Sequence, residues 1–82
     1  MTIDVKVNSS ELAGILRSGA YELADGSTVA DLMEIAQREA EFEMTREMKS
    51  NLVFLFDNRH ASLETVLNGN GMLRVLHKVL GG

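Results

Sequence analysis

The chain has 82 residues and a formal net charge of −4, from 12 acidic and 8 basic side chains. Its length predicts one small domain, and an acidic chain without a Lys or Arg cluster is not expected to bind nucleic acid. Cysteine is absent, which excludes disulfides, thiolate metal sites and a cysteine nucleophile.

Two strands with a short helix between them are predicted at the start of the chain. Residues 2–8 alternate between apolar and polar side chains, the pattern of a strand with one buried face. Residues 9–16 carry apolar side chains at helical spacing, and Gly19 is well placed to end a helix. The alternation returns at residues 20–24, after which Asp25 and Gly26 predict a turn.

The clearest predicted helix begins after Thr28. Thr28 and Asp31 form a capping-box pattern, with Asp in the place of the usual Glu. An apolar stripe at helical spacing follows, formed by Val29, Leu32, Met33, Ala36 and Ala40. This pattern weakens over residues 43–50, where we expect a frayed helix end or a loop.

The C-terminal half is predicted to form strands separated by tight turns. Residues 52–56 are apolar at every position, so either both faces of this strand are covered or one is an interaction surface. Residues 57–60 and the Asn-Gly-Asn-Gly run at 68–71 predict turns, with a short strand or one helical turn at 63–67. A last strand at 72–79 leads into the terminal glycines.

One amphipathic helix together with these strands predicts a two-layer α+β domain. We expect the first and last strands to be central and parallel, because they carry the most regular apolar pattern. The strand and helix periodicities together predict one core. Parts of the last strands contribute to it, together with Ile3, Val5, Val7, Tyr21, Leu23, Val29, Leu32, Met33 and Ala36.

Four short motifs follow one another along the chain: Leu16-Arg17, Asp25-Gly-Ser-Thr-Val-Ala-Asp-Leu32, Leu67-Asn-Gly-Asn70 and Gly81-Gly82. Their order and spacing resemble the β-grasp sulfur carriers, which include the small subunit of molybdopterin synthase and the thiamine-pathway sulfur carrier. The length of the chain suits the molybdopterin type better than the shorter thiamine type. The chain departs from the family at two places. It has Asn68-Gly69-Asn70 where the family has Asp-Gly-Asp, and before Gly-Gly, where the family commonly has proline, it has His77-Lys78-Val79-Leu80.

The resemblance implies one β-grasp, ubiquitin-like domain over residues 1–82. In that fold one main helix covers one face of a mixed sheet of four to five strands, and we expect a flexible tail at residues 80–82. The resemblance further implies that a separate ATP-dependent enzyme adenylates the carboxylate of Gly82, which then becomes a thiocarboxylate. Gly81 would leave the tail narrow enough to thread an enzyme channel.

The resemblance also implies a carrier rather than an enzyme. Its partners would be the adenylating enzyme and a sulfur-acceptor synthase subunit, and ATP would be used by the partner, with no cofactor or metal bound here. Two alternatives stay open: a ubiquitin-like protein modifier, and a β-grasp interaction module with an incidental Gly-Gly end. No apolar run of bilayer length and no basic-then-apolar leader occur, so a soluble cytoplasmic protein without a membrane partner is expected.

A partner-binding surface is expected on the sheet face away from the helix, because one helix cannot cover both faces. Because successive side chains of a strand point to opposite faces of the sheet, Phe54 and Phe56 share one face and Val53 and Leu55 the other. The residues proposed for the surface are Phe54, Phe56, Arg74, Leu76, Lys78 and Leu80. Phenylalanine is usually buried, so a core position for each of the two phenylalanines stays the alternative. We expect this surface to bind the activating enzyme and the sulfur acceptor in turn.

Overall fold

The computed structural model describes residues 1–78 as a five-stranded mixed sheet with a helix packed on one face. In chain order the elements are β1 Thr2–Val7, β2 Gly19–Glu22, α1 Val29–Ala40, α2 Arg46–Ser50, β3 Leu52–Phe56, β4 Arg59–Ala61 and β5 Gly71–His77. The strands lie side by side in the order β2-β1-β5-β3-β4. Neither helix in residues 1–78 has the length and hydropathy needed to span a membrane.

The centre of the sheet is formed by β1 and β5, which run parallel as the sequence predicts. Their register pairs Ile3 with Gly71 and Val7 with Val75. Parallel neighbours need a long connection, and here the connection includes β2, α1 and the β3–β4 hairpin. The carboxyl ends of β1 and β5 therefore lie at the same edge of the sheet.

Helix α1 begins with the predicted capping box. The Thr28 hydroxyl accepts a hydrogen bond from the Asp31 amide at 3.2 Å, and the Asp31 carboxylate accepts one from the Thr28 amide at 2.9 Å. These bonds satisfy backbone donors that a helix start otherwise leaves open. The helix ends at Glu41, whose left-handed φ of 52° turns the chain away.

The core lies between α1 and one face of the sheet, which we name the inner face; the opposite side is the outer face. All nine side chains predicted for the core are buried. Residues from the turns and from β5 extend it, namely Leu12, Leu16, Leu67, Leu73 and Val75. Burial of this apolar set is the main favourable contribution to folding.

The β3–β4 hairpin uses a two-residue turn that the sequence signals only in part. Asp57 and Asn58 have φ of 50° and 67°, the left-handed values that a tight hairpin turn requires. Asp and Asn tolerate this region better than other residues with a side chain. The Asp57 amide and carboxylate also bond to the carbonyl and amide of Met72, each at 2.9 Å, which ties the turn to β5.

Three stretches differ from the sequence prediction. The first is Arg59–Ala61, which forms β4 although residues 57–60 were predicted as a turn, because the turn takes only Asp57 and Asn58. Residues 9–16 form turns rather than a regular helix, with the Leu16 amide bonded to the Leu12 carbonyl at 2.9 Å. A segment this short is below the length at which helices are stable alone, so burial of its leucines decides its shape. The prediction missed α2, because this single turn buries no residue and so has no apolar periodicity.

Residues 63–67 were expected to form a short strand or one helical turn, and they combine features of both. The segment contains a turn and then an isolated antiparallel bridge between Val66 and Thr28. The Val29 amide donates to the Thr65 carbonyl at 3.0 Å, and the Leu67 amide donates to the Ser27 carbonyl at 2.8 Å. These bonds hold the segment against the start of α1.

Candidate functional site

The carboxyl end of β5 is bonded to the residue after α2 and lies beside the segment that follows β1. The Lys78 amide donates to the Asn51 carbonyl at 2.6 Å, and Asn51 in turn caps α2. On the other side, Nδ1 of His77 lies 3.7 Å from a carboxylate oxygen of Glu11. The position of Lys78 relative to the sheet is therefore defined.

The proposed reactive residues Gly81 and Gly82 follow Lys78, together with Leu80. All three lie outside the described residues, so the expected flexible tail stays a prediction. From Lys78, four residues of extended chain span at most about 14 Å, at about 3.5 Å per residue. Any chemistry at Gly82 must then take place within about that distance of the sheet edge.

The outer face carries an apolar strip beside positive charge. The register sets Val53 opposite Leu76 and Leu55 opposite Arg74. On the other side of β5, Asp4 pairs with Met72 and Lys6 with Arg74. The four apolar side chains of the strip are Val53, Leu55, Met72 and Leu76, and all are half-buried. Arg74 and Lys6 are exposed, so the strip has a cationic side.

The structure separates the residues proposed for partner binding onto two faces. Arg74 and Leu76 lie together on the outer face, and Lys78 follows them one residue beyond β5. Phe54 is paired with Val75 and is 5% exposed, so it belongs to the core. Phe56 is opposite Leu73, on the inner face.

The face expected for the two phenylalanines is therefore wrong. The pleat of β3 sends Phe54 and Phe56 toward the helix side, and it sends Val53 and Leu55 to the outer face instead. The strand is apolar at every position, so the sequence pattern gave no means of choosing between the two faces. Partner binding by the outer face itself stays a prediction.

The Leu16-Arg17 motif has a structural role. Leu16 is buried, while the Arg17 guanidinium stacks over the Tyr21 ring at 4.1 Å from its centroid. Arg17 also donates to the Ala20 carbonyl at 3.0 Å and lies 3.2 Å from the Glu39 carboxylate. The Tyr21 hydroxyl donates to the Arg17 carbonyl at 2.6 Å. Burial raises the pKa of Tyr21, against the opposing effect of the Arg17 charge.

The Leu67-Asn-Gly-Asn70 motif is also structural in this chain. Leu67 is buried, and Gly69 has a φ of 62° that favours glycine. The side-chain oxygen of Asn70 accepts a hydrogen bond from the Thr2 amide at 3.0 Å. An amide oxygen is a sufficient acceptor for that bond, so this turn supports the start of β1 without an acidic side chain.

The titratable side chains of residues 1–78 offer no metal centre. No group of three or more His, Asp or Glu side chains is arranged to hold a metal ion there. The His77–Glu11 pair is solvated, with 44% and 58% of the two side chains exposed. His60 is exposed on the edge strand β4, opposite Leu55.

Comparison with solved structures identifies the fold. Small archaeal modifier protein 1 (SAMP1) from Haloferax volcanii is 18% identical over 100% of both chains, with a TM-score of 0.70. A second H. volcanii structure of this modifier is 16% identical, covers 95% of this chain and 98% of its own, and has a TM-score of 0.69. A Pyrococcus furiosus protein assigned as molybdopterin converting factor subunit 1 is 22% identical over 96% of this chain and 99% of its own, with a TM-score of 0.71.

These likenesses confirm the β-grasp, ubiquitin-like fold that the sequence motifs indicate. They are too low in identity to carry more than the fold. No protein-family model matches the chain, and no curated protein sequence matches it.

Proposed function

We propose that this chain is a sulfur carrier whose reactive group is the carboxylate of Gly82. The observation that carries the proposal is the position of Gly81 and Gly82, which follow the carboxyl end of the central strand β5 in a β-grasp fold. Two residues without a Cβ keep the backbone narrow, so the tail can enter a closed active site on another protein.

The chemistry needs no catalytic group from this chain. A carboxylate oxygen of Gly82 attacks the α-phosphorus of ATP and pyrophosphate leaves, which gives an acyl-adenylate. Hydrosulfide then adds to the carbonyl carbon and AMP leaves, so that the product is a thiocarboxylate. Both steps take place in the partner's active site, where ATP is bound, and the chain is a cosubstrate. We assign the reaction to the cytoplasm, where ATP is available.

The outer face is the surface we propose for docking. Its half-buried strip includes Leu55 and Leu76, and Arg74 adds positive charge beside the strip. A partner with an apolar centre and acidic residues at the rim would complement it. The activating enzyme and the sulfur-acceptor subunit would use this face in turn, because each must receive the same tail.

Among sulfur acceptors we favour molybdopterin synthase, with the thiamine pathway as the second choice. The fold likeness to the P. furiosus protein and the chain length support the first. The chain would then serve as the small subunit of that synthase and supply sulfur without contributing catalytic groups.

Intact-mass measurement tests the proposal directly. The protein ending at Gly82 is incubated with ATP, sulfide and a cognate activating enzyme. We expect a gain of about 16 Da, oxygen replaced by sulfur, located on the C-terminal peptide. A protein lacking Gly82 is the matched control and should keep its mass. If neither protein changes while the enzyme activates its known substrate, the Gly-Gly end is incidental and the chain is an interaction module.

A protein modifier is the second candidate, supported by the fold likeness to the H. volcanii modifier. The same acyl-adenylate would then pass its acyl group to a lysine amine of another protein, with loss of AMP and formation of an isopeptide bond. Mass spectrometry separates the two outcomes. A carrier gives the 16 Da gain, whereas a modifier gives conjugates whose lysines carry a Gly-Gly remnant after trypsin digestion of a variant with Arg in place of Leu80.

A further inference from the structure

A groove of about 760 Å³ opens on the helix side of the domain, on the opposite side of the sheet from the outer face. It is lined by one side of α1, the segment that leads to α2, Lys49 of α2, the start of β3 and Leu63. Its apolar lining consists of Met33, Phe42, Met44, Leu52, Phe54 and Leu63. The volume is in the range of ligand-binding clefts, and it can receive a few large side chains.

The apolar lining is suited to aliphatic side chains of varied shape. Met33 and Met44 lie at the buried side of the groove, while Phe42, Leu52 and Leu63 are half-buried. Unbranched thioether side chains adjust to the shape of an incoming group, which is why methionine is frequent at peptide-binding surfaces. Half-buried apolar side chains around an open groove favour an occupant that removes them from water.

The charges around the groove sum to −1, from five side chains: Glu34, Arg38, Glu41, Glu43 and, on α2, Lys49. Arg38 pairs with Glu34 at 2.8 Å, which neutralises both. Glu41 and Glu43 stand on either side of Phe42, and both are exposed. They follow the C-terminal end of α1, where the helix dipole also favours positive charge. The α1 end of the groove is therefore suited to a cation next to an apolar side chain.

We propose that this groove binds a short peptide segment of a partner protein in which aliphatic side chains are flanked by arginine or lysine. The aliphatic groups fill the space between Met33, Met44 and Leu63, and the cations lie near Glu41 and Glu43. Because the groove and the outer face are on opposite sides of the sheet, such a partner can bind while the outer face is occupied. The inference does not depend on the chemistry of Gly82.

Methyl NMR with labelled methionine provides the test. Of the 5 methionines in the chain, Met33 and Met44 line the groove while Met72 lies on the outer face, so the protein carries its own reference signal. The probe is a synthetic peptide with two leucines flanked by arginines. We expect it to shift the Met33 and Met44 signals and leave Met72 unchanged. The same peptide with glutamate in place of arginine should bind about tenfold more weakly.

Charge-reversal variants assign the binding to the groove. The double variant Glu41→Lys, Glu43→Lys should bind the arginine peptide about tenfold more weakly, because two attractive charge interactions become repulsive. Asp4→Lys with Glu22→Lys changes the net charge equally at exposed positions on the outer face and should leave the affinity unchanged. These four sites are exposed, so folding is not at risk.

Three results would overturn the proposal. The first is equal binding of the arginine and glutamate peptides, and the second is a response at Met72 alone or at no methionine. The third is a shift of Met33 and Met44 on raising the protein concentration without peptide, which would identify a second copy of the chain as the occupant.

Discussion

Gly71 packs directly against the far edge of the Phe56 ring. A Cβ at Gly71 would stand 2.7 Å from two ring carbons of Phe56 and 2.8 Å from a carboxylate oxygen of Asp57. The last glycine of the Asn-Gly-Asn-Gly run thus allows a close approach at the start of the central strand β5. The sequence marked the run as a turn, but the packing role of this glycine follows only from the register of β3 on β5.

Gly71→Ala should therefore destabilise the protein by about 1–3 kcal/mol, because the Phe56 ring must move from its place against the core. Urea unfolding measures the change. Gly14→Ala is the matched control, since a Cβ at Gly14 would meet no atom within 4 Å beyond its chain neighbours, and the change should be neutral or slightly stabilising. In the background of Phe56→Ala the Gly71 substitution should cost much less; an unchanged cost would refute the ring contact.

Leu32→Ala should cost about 2–5 kcal/mol, because Leu32 is fully buried between α1 and the sheet and its removal leaves a cavity. Ile15→Ala removes a similar aliphatic side chain that is 40% exposed, and it should cost clearly less. Denaturant unfolding compares the two variants. A loss below about 0.5 kcal/mol for Leu32→Ala would count against its place in the core.

Much of the fold could be predicted from sequence because local signals and burial agree. The alternation in β1 and the stripe of α1 each selected one face, so Val5 and Leu32 were placed correctly. In β3 every residue is apolar, and a one-sided pattern is absent. Phe54 was placed on the wrong face for this reason, and only the pairing with Val75 decides its direction.

Less of the candidate site could be predicted from the sequence. The terminal glycines are visible in the sequence, but the bond between the Lys78 amide and the Asn51 carbonyl depends on α2, which the sequence did not indicate. The groove joins Met33 with Leu63, which are far apart in the chain. Neither carries a local signal of binding, because apolar residues in the core and around a groove look alike in sequence.

Tyr21 should make the stability of the protein fall at high pH. Burial raises the pKa of Tyr21 in the folded state above its ordinary value of 10.0. The folded state therefore keeps the proton where the unfolded state has lost it, so the stabilising contribution is present below pH 10 and is lost as the pH rises through the folded-state pKa. Ultraviolet titration of the single tyrosine checks the direction of the shift.

Tyr21→Phe is the companion variant for this effect. In urea unfolding, the variant should lack the part of the high-pH fall in stability that ionisation of Tyr21 causes. At neutral pH it should be about 1 kcal/mol less stable, because the hydrogen bond to the Arg17 carbonyl is gone. A Tyr21 pKa at or below that of a free tyrosine would contradict the burial argument.

Leu76→Ser should weaken activation of the protein without unfolding it. Leu76 lies on the outer face opposite Val53, in the strip proposed to dock the activating enzyme. Loss of one apolar anchor at the centre of an interface should raise the KM for this protein about tenfold, equivalent to about 1.4 kcal/mol. Val66→Ser changes a side chain that is 47% exposed elsewhere and should leave the KM unchanged. Equal effects of the two substitutions would exclude the outer face as the docking site.

Deleting Gly82 should abolish adenylation while the melting temperature stays almost unchanged. The residue follows the described domain by four positions and has no side chain to bury, so stability and activity should separate. One residue added after Gly82 should have the same effect, because it displaces the carboxylate from the attacking position. Gly81→Ala should weaken the reaction, since a methyl group widens the tail. ATP–pyrophosphate exchange with the activating enzyme measures all three; exchange at the full rate on the truncated protein would show that Gly82 is not the reactive residue.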